Sequence, residues 1–215
     1  MSETDGAAEE AALRQALGLF APPGIRLGCR MIRSDDARLL TAEEAEAFAA
    51  RPLAARRASG AARATARALL AAEGLGEAFI GRAPTGAPVW PEGFVGSLAH
   101  DEAMAVAAIA PKARVRSLGI DVEPAAPLEA EVAALVHIAE DVIDGVEAGL
   151  AARVLFSAKE AVYKACFPLD GIMLDYADIT VDLRQTCAIT STGRHTQLFV
   201  CLAPRLVVLA VIEPA

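Results

Sequence analysis

Ser117-Leu118-Gly119-Ile120-Asp121-Val122-Glu123-Pro124 is the stretch on which the reading of the fold turns. Ser117–Val122 has the composition of a strand, and a proline-punctuated loop follows it. Residues two apart on a strand share a face, so Asp121 and Glu123 present two carboxylates side by side, while Ile120 and Val122 turn the other way into a core. No Lys or Arg occurs in the next twenty residues, so the carboxylates repel each other unless a cation lies between them. An all-oxygen pair at this spacing suits Mg²⁺, which binds through one or two carboxylates and substrate phosphates. Spacing alone favours the plainer alternative, a solvated strand edge with its acids pointing outward.

Outward from this strand, Pro111–Arg116 is a polar, basic hinge between strands. Before it, Val95–Ala99 and Met104–Ala110 read as two strands with His100-Asp101-Glu102 at their turn, and Gly81–Gly93 reads as a loop. A helix is expected from Leu53 to Glu73, stopped by Gly74, and a shorter one opens at the capping box Thr41-Ala42-Glu43-Glu44. Ile25–Ile32 reads as a strand, and residues 1–19 as an acidic helix broken by Pro22-Pro23-Gly24. After the hinge, helical segments are expected over Leu128–Val142 and Glu147–Phe167. Ile179–Leu183, Cys187–Thr190, Gln197–Leu202 and Leu206–Ile212 then read as mostly antiparallel strands. Each half carries a long helix and several strands, which predicts an α+β fold of two similar halves, 1–112 and 113–215.

The net charge of −8 is unevenly spread. Five arginines (Arg51, Arg56, Arg57, Arg63, Arg67) lie in a stretch without an acid, and eight acids lie between Asp121 and Glu147 without a Lys or Arg. A chain-wide nucleic-acid binder would be basic overall, so one local anion site and one local cation site fit better. The longest apolar stretches, Ala103–Ala110 and Leu206–Ile212, have strand length and fall short of the roughly 20 residues of a membrane-spanning helix. The N-terminus is polar and acidic, from which no secretory signal is expected, and Cys29, Cys166, Cys187 and Cys201 are spread without a CxxC pair. Buried, reduced thiols in a cytoplasmic protein are the expectation.

Three further constellations carry chemistry. In Phe156-Ser157-Ala158-Lys159-Glu160-Ala161-Val162-Tyr163-Lys164-Ala165, Glu160 and Lys164 are four apart and share a helix face. Alone they read as an ordinary surface ion pair, but Phe156, Tyr163 and Phe167 lie close to that face and argue for partial burial. Arg56, Arg63 and Arg67 fall within about 20° of one line on a helix. With no acid nearby in sequence, such a stripe suits phosphate, although a solvated basic face fits as well. Val95-Gly96-Ser97-Leu98-Ala99-His100, preceded by Arg82, lacks the elbow of a serine hydrolase. Ser97 and His100 read instead as donors to a phosphate, with a structural histidine as the alternative. His137 and His195 match no ligand spacing, and nothing marks a zinc site.

Together these elements resemble the 4'-phosphopantetheinyl transferases of the surfactin and enterobactin-pathway type. The similarity runs from about Arg51 to Ile179 and is densest in Val89–His100, Ser117–Pro124 and Phe156–Ala165. The Trp90-Pro91 and Phe167-Pro168-Leu169 contexts resemble the subgroup serving siderophore and actinobacterial lipid synthesis. The resemblance implies a monomer of two pseudo-symmetric halves with the active site between them. The arginines of 1–112 would bind coenzyme A phosphates, and 113–215 would carry the metal-binding and catalytic motifs. Asp121, Glu123 and Glu160 would hold Mg²⁺, and Lys164 would contact the phosphate under attack. Arg56, Arg63, Arg82 and His100, with Ser97 and Lys159, would bind coenzyme A. The stretch to Arg63 is one residue shorter than the family's usual spacing, which leaves Arg57 as the alternative to Arg56. Val122 stands where many members have another acid or glutamine, so water or Glu160 must complete the metal shell, and Glu160 is ligand, base or both.

The implied reaction moves the 4'-phosphopantetheine arm of coenzyme A to a serine of an apo acyl or peptidyl carrier protein of fatty-acid, polyketide or nonribosomal-peptide synthesis, releasing 3',5'-ADP. The rival readings are another Mg²⁺-dependent nucleotide transferase and a catalytically silent coenzyme A-binding protein. Carriers are typically acidic, so an acidic enzyme needs a local docking patch, and Ala133-Ala134-Leu135-Val136 and the Phe167–Met173 loop are the candidates.

Overall fold

In the computed structural model, which describes residues 3–214, the run Met104–Pro111 (β5) is apolar along its whole length and buried up to its last residue. A strand apolar on both faces belongs at the centre of a sheet. It lies between β1 (Arg26–Met31) and β4 (Phe94–His100), antiparallel to both, with Cys29 opposite Val106 and Ala99 opposite Val106 on the other side. Helix α1 (Glu3–Phe20) lies along β1, where the Glu10 carboxylate accepts the Met31 N–H at 3.0 Å and Leu13 and Leu17 are fully buried. Of the acidic N-terminal helix read from the sequence, residues 1 and 2 lie outside the described residues.

The capping box forms at α2 (Ala42–Ala47), with Thr41 and Glu44 satisfying each other's backbone N–H groups. Helix α3 (Leu53–Ala72) follows and lays Ala61, Ala62, Ala66 and Leu70 on Ala105, Ala107 and Ile109. It ends before Gly74, whose φ of 87° only a residue without a Cβ adopts at no cost. The loop expected over Gly81–Gly93 contains a two-residue antiparallel ladder, β2 (Gly81–Arg82) with β3 (Pro88–Val89). These elements form one compact unit, Met1–Lys112, and the remainder forms a second, Ala113–Ala215.

The second unit is built on a five-stranded antiparallel sheet. Its order is β6 (Ser117–Glu123), β10 (Leu206–Ile212), β9 (His195–Cys201), β8 (Cys187–Thr190) and β7 (Ile179–Asp182). β10 is buried throughout, pairing with β6 from Ser117↔Ile212 to Glu123↔Leu206. Helix α5 (Ala148–Asp170) covers β6 and β10 and buries Val154, Leu155, Ala158, Ala161, Val162 and Ala165. It runs three residues beyond the expected end, because Gly171 at φ 65° caps it in the left-handed conformation and donates its N–H to the Phe167 carbonyl.

The contact of β6 with α5 has a simple register. Ser117, Gly119, Asp121 and Glu123 meet Ala165, Ala161, Ser157 and Arg153 in turn. Two strand residues advance about 6.8 Å and four helix residues about 6 Å, so the rows stay in step as they run in opposite directions. Gly119 lets them touch: a Cβ there would lie 2.0 Å from the Ala161 carbonyl oxygen and 2.6 Å from the Ala165 nitrogen.

One expected helix is shorter than its sequence pattern. Of Leu128–Val142 only Ala130–Val136 (α4) is helical. The chain leaves the helix at His137, and Asp141 turns inward to accept the backbone N–H groups of Ile138 and Val181. Tertiary hydrogen bonds here outweigh local propensity. The α+β class stands. Among the described residues no helix is long and apolar enough to cross a membrane, and the four cysteines are unbridged. Burial pushes the Cys29 and Cys166 thiols up to about 11, which keeps both protonated and unreactive.

Replacing Gly119 by Ala should therefore destabilise the second unit by roughly 3 kcal/mol, at the upper end of the overpacking range. Chemical denaturation checks this, and an unchanged midpoint would contradict the close approach.

Candidate active site

Side chains at alternate positions of β6 point at α5, so Asp121 and Glu123 face the helix and not solvent. Asp121 is 6% exposed, and both its oxygens are taken. Lys164 Nζ lies 2.6 Å from Oδ1, and Ser157 Oγ donates to Oδ2 at 2.9 Å. Glu123 pairs with Arg153 at 2.7 Å, and the same guanidinium donates to the carbonyls of Ala126 and Pro127. The solvated strand edge is thus excluded, and the repulsion inferred from the acid-rich sequence is relieved by Lys164 and Arg153. Neither Arg153 nor Ser157 stood out as a site residue in the sequence. The available signal was their spacing, with 153, 157, 161 and 165 recurring every fourth residue along one helix face.

Glu160 and Lys164 do not form the ion pair their spacing suggests. Lys164 reaches across to Asp121 and to the Ile120 carbonyl at 3.3 Å, whereas Glu160 Oε1 accepts the hydroxyl of Tyr176 at 3.1 Å. Tyr176 opens a short 3-10 turn, Tyr176–Asp178, and its ring packs 6.0 Å from that of Phe156. Burial first, then the nearby Glu160 carboxylate and the hydrogen bond to it, and then Asp121 and Glu123, push the phenol up to about 12. It therefore stays protonated and donates at neutral pH. The three carboxylates act electrostatically on this one hydroxyl.

That donor set fits a hard divalent cation in kind: three carboxylates and a neighbouring hydroxyl, all oxygen. As they stand, no three His, Cys, Asp or Glu side chains among the described residues are grouped closely enough to hold an ion. Asp121 and Glu123 are each clamped by a cation from α5.

Lys159 requires correction. Expected among the coenzyme A contacts, it is wholly buried, 2.8 Å from Asp141 Oδ2, with further hydrogen bonds to the carbonyls of Val136 (2.9 Å) and Tyr176 (3.0 Å). All three ammonium donors are occupied inside the protein. Its partner, Asp141, is the residue that interrupts the helix expected over Leu128–Val142.

The arginines of the first unit are also not a bare stripe. Arg67 is neutralised by both oxygens of Glu44 at 2.7 and 2.8 Å, an acid brought from α2. Arg63 is 4% exposed, donates to the Ile80 carbonyl at 3.1 Å and lies over the Phe48 ring at 4.6 Å. The guanidinium of Arg82 lies over the same ring at 5.5 Å. Burial chiefly, with Arg67 and Arg82 adding to it against the pull of Glu44, lowers Arg63 to about 10. Positive charge is thus crowded here. Arg56 and Arg57 each keep a buried Nε that no group among the described residues satisfies. Arg82 is exposed and borders a cavity of about 450 Å³, walled by Phe79 and Val89 and edged by Glu43 and Glu46.

Ser97 and His100 both lie on β4, Ser97 buried and His100 exposed at its end. Residues three apart on an unbroken strand face opposite sides, so the two do not share one shell. His100 Nδ1 lies 3.3 Å from the Asp101 carbonyl oxygen. Gly96 lies under Trp90, where a Cβ would come 2.6 Å from the indole ring, so these two residues of the motif are coupled by packing.

Residues 43–110 match the 4'-phosphopantetheinyl transferase N-terminal domain, and residues 117–208 match the 4'-phosphopantetheinyl transferase superfamily. The 4'-phosphopantetheinyl transferase Svp of Streptomyces mobaraensis is 45% identical over 132 residues, 56% of this chain and 52% of that protein. Npt of Nocardia iowensis is 40% identical over 145 residues, 65% of each chain. PptT of Mycobacterium tuberculosis is 37% identical over 133 residues, 60% of this chain and 58% of that one. Both carry the same description as Svp. The chain thus spans between about half and two thirds of the length of the relatives it matches.

Lys159→Met leaves Asp141 buried without its counter-charge and should cost about 3–5 kcal/mol of stability. Urea denaturation measures this, and a variant as stable as the parent would contradict the structural assignment.

Proposed function

The chain belongs to the 4'-phosphopantetheinyl transferase superfamily, and from that premise we propose that it transfers the 4'-phosphopantetheine arm of coenzyme A to a serine hydroxyl of an apo carrier protein, with 3',5'-ADP as the leaving group. The observation that carries the reading is the β6–α5 cluster, where Asp121, Glu123, Glu160 and Lys164 stand on two packed elements of one unit.

In this reading the serine oxygen bonds to the β-phosphorus as the bond to the 3',5'-ADP oxygen breaks. Such transfers depend chiefly on positioning and on neutralising charge at the phosphate oxygens. Lys164 is suited to the second task. Two of its three N–H donors go to Asp121 and Ile120, which leaves one for a phosphate oxygen. Glu160 is suited to take the serine proton, since only its Oε1 is engaged by Tyr176. Asp121, Glu123 and Glu160 would hold Mg²⁺, whose chemical contribution is further charge neutralisation. Ser157 orients Asp121, and Arg153 restrains Glu123.

In the first unit, exposed Arg82 and His100 and the unsatisfied nitrogens of Arg56 and Arg57 would meet coenzyme A phosphates. Arg63, buried beside the Phe48 ring that it shares with Arg82, would contribute its charge through the field rather than by contact. For the carrier, the exposed apolar side chains Leu135 (73%), Ile172 (48%) and Met173 (73%) fall in the two segments expected to dock it. Apolar docking suits an encounter between two acidic proteins, where the global field is unfavourable.

Incubation with coenzyme A, Mg²⁺ and apo carrier domains should add about 340 Da to a carrier, the mass of the transferred arm. Mass spectrometry reads this directly, and no gain across fatty-acid, polyketide and nonribosomal-peptide carriers would refute the proposal.

A further inference from the structure

Tyr176 is gripped at both ends by consecutive residues of α5. Lys159 Nζ donates to its backbone carbonyl at 3.0 Å, and its own hydroxyl donates to Glu160 Oε1 at 3.1 Å. The grip is anchored in the core. Lys159 is fixed by Asp141 at 2.8 Å and by the Val136 carbonyl, and Asp141 is itself held by the N–H groups of Ile138 and Val181. The Phe156 ring, 6.0 Å away and tilted by 51°, packs against the phenol. A glutamate on a helix surface ordinarily samples several rotamers, and a fixed hydroxyl that donates to one oxygen removes that freedom. The buried ion pair is thus spent on locating one side chain whose far end touches Glu160.

We infer that Tyr176 is a positioning residue, which holds Glu160 by Oε1 so that Oε2 alone is presented to the cation or to the incoming serine proton. The inference rests on the role proposed above for Glu160. Partners that orient a metal-binding carboxylate typically contribute 10–100-fold to metal affinity or rate. Removal of the hydroxyl leaves the Lys159 contact intact, because that contact is to the backbone. The ring also keeps its place against Phe156.

Tyr176→Phe in the full chain tests this. Mn²⁺, titrated in the presence of coenzyme A and followed by loss of the free-ion EPR signal, reports cation affinity without turnover. Affinity and kcat should each fall about 10–100-fold, while KM for coenzyme A and the thermal midpoint stay at the wild-type values. Equal Mn²⁺ affinity and equal kcat in the two proteins would overturn the inference and leave the proposed function standing. A lowered thermal midpoint with weakened coenzyme A binding would also overturn it, by showing a merely structural role. A wild-type protein that binds no Mn²⁺ and loads no carrier would instead overturn the proposed function, and this inference with it.

Discussion

The contact between β6 and α5 at Gly119 is the constraint from which the candidate site follows. With the strand backbone against the helix backbone, the rows Ser117-Gly119-Asp121-Glu123 and Ala165-Ala161-Ser157-Arg153 run in register. Each carboxylate then meets a donor on α5, Asp121 the Ser157 hydroxyl and Glu123 the Arg153 guanidinium. A larger residue at the crossing would separate the elements and lengthen every hydrogen bond beyond it. The small residues Gly119, Ala161 and Ala165 are therefore as much part of the site as the charged ones, although none of them does chemistry.

A second consequence concerns charge. Buried carboxylates are costly unless paired, and this unit pairs them individually. Asp121 is matched by Lys164, Glu123 by Arg153 and Asp141 by Lys159, while Glu160 takes a neutral hydroxyl. Of these, the Lys159–Asp141 pair is sealed from solvent. The Lys164–Asp121 pair is partly open, with 27% of the lysine side chain exposed. An ion pair that keeps a donor near the surface can exchange partners when a phosphate arrives. One that is sealed and fully hydrogen-bonded cannot, and it serves geometry instead.

Much of this was legible in the sequence, for local reasons. Thr41 and Glu44 announce a capping box, Gly74 stops α3, and period-two alternation puts Asp121 and Glu123 on one face. What escaped was the identity of partners supplied from elsewhere in the chain. Arg67 looked uncompensated because Glu44 is 23 residues away, and the acid-rich segment looked bare because Arg153 and Lys164 lie on the next long helix. Lys159 sits beside Glu160 in a charged motif, and only burial separates a core lysine from a ligand-binding one. Tyr176 lies on a short turn whose length gives no periodic pattern at all. The helix over Leu128–Val142 failed for a related reason, since Asp141 found better hydrogen bonds outside it.

Asp121, one of the two carboxylates on β6 that face α5, is proposed to serve arm transfer with a divalent cation. The rate of transfer by Asp121→Asn as a function of Mg²⁺ concentration tests it most directly. A fall of at least ~100-fold is expected at every Mg²⁺ concentration, in a protein that remains folded. Wild-type rates that persist without Mg²⁺ in the variant would contradict it.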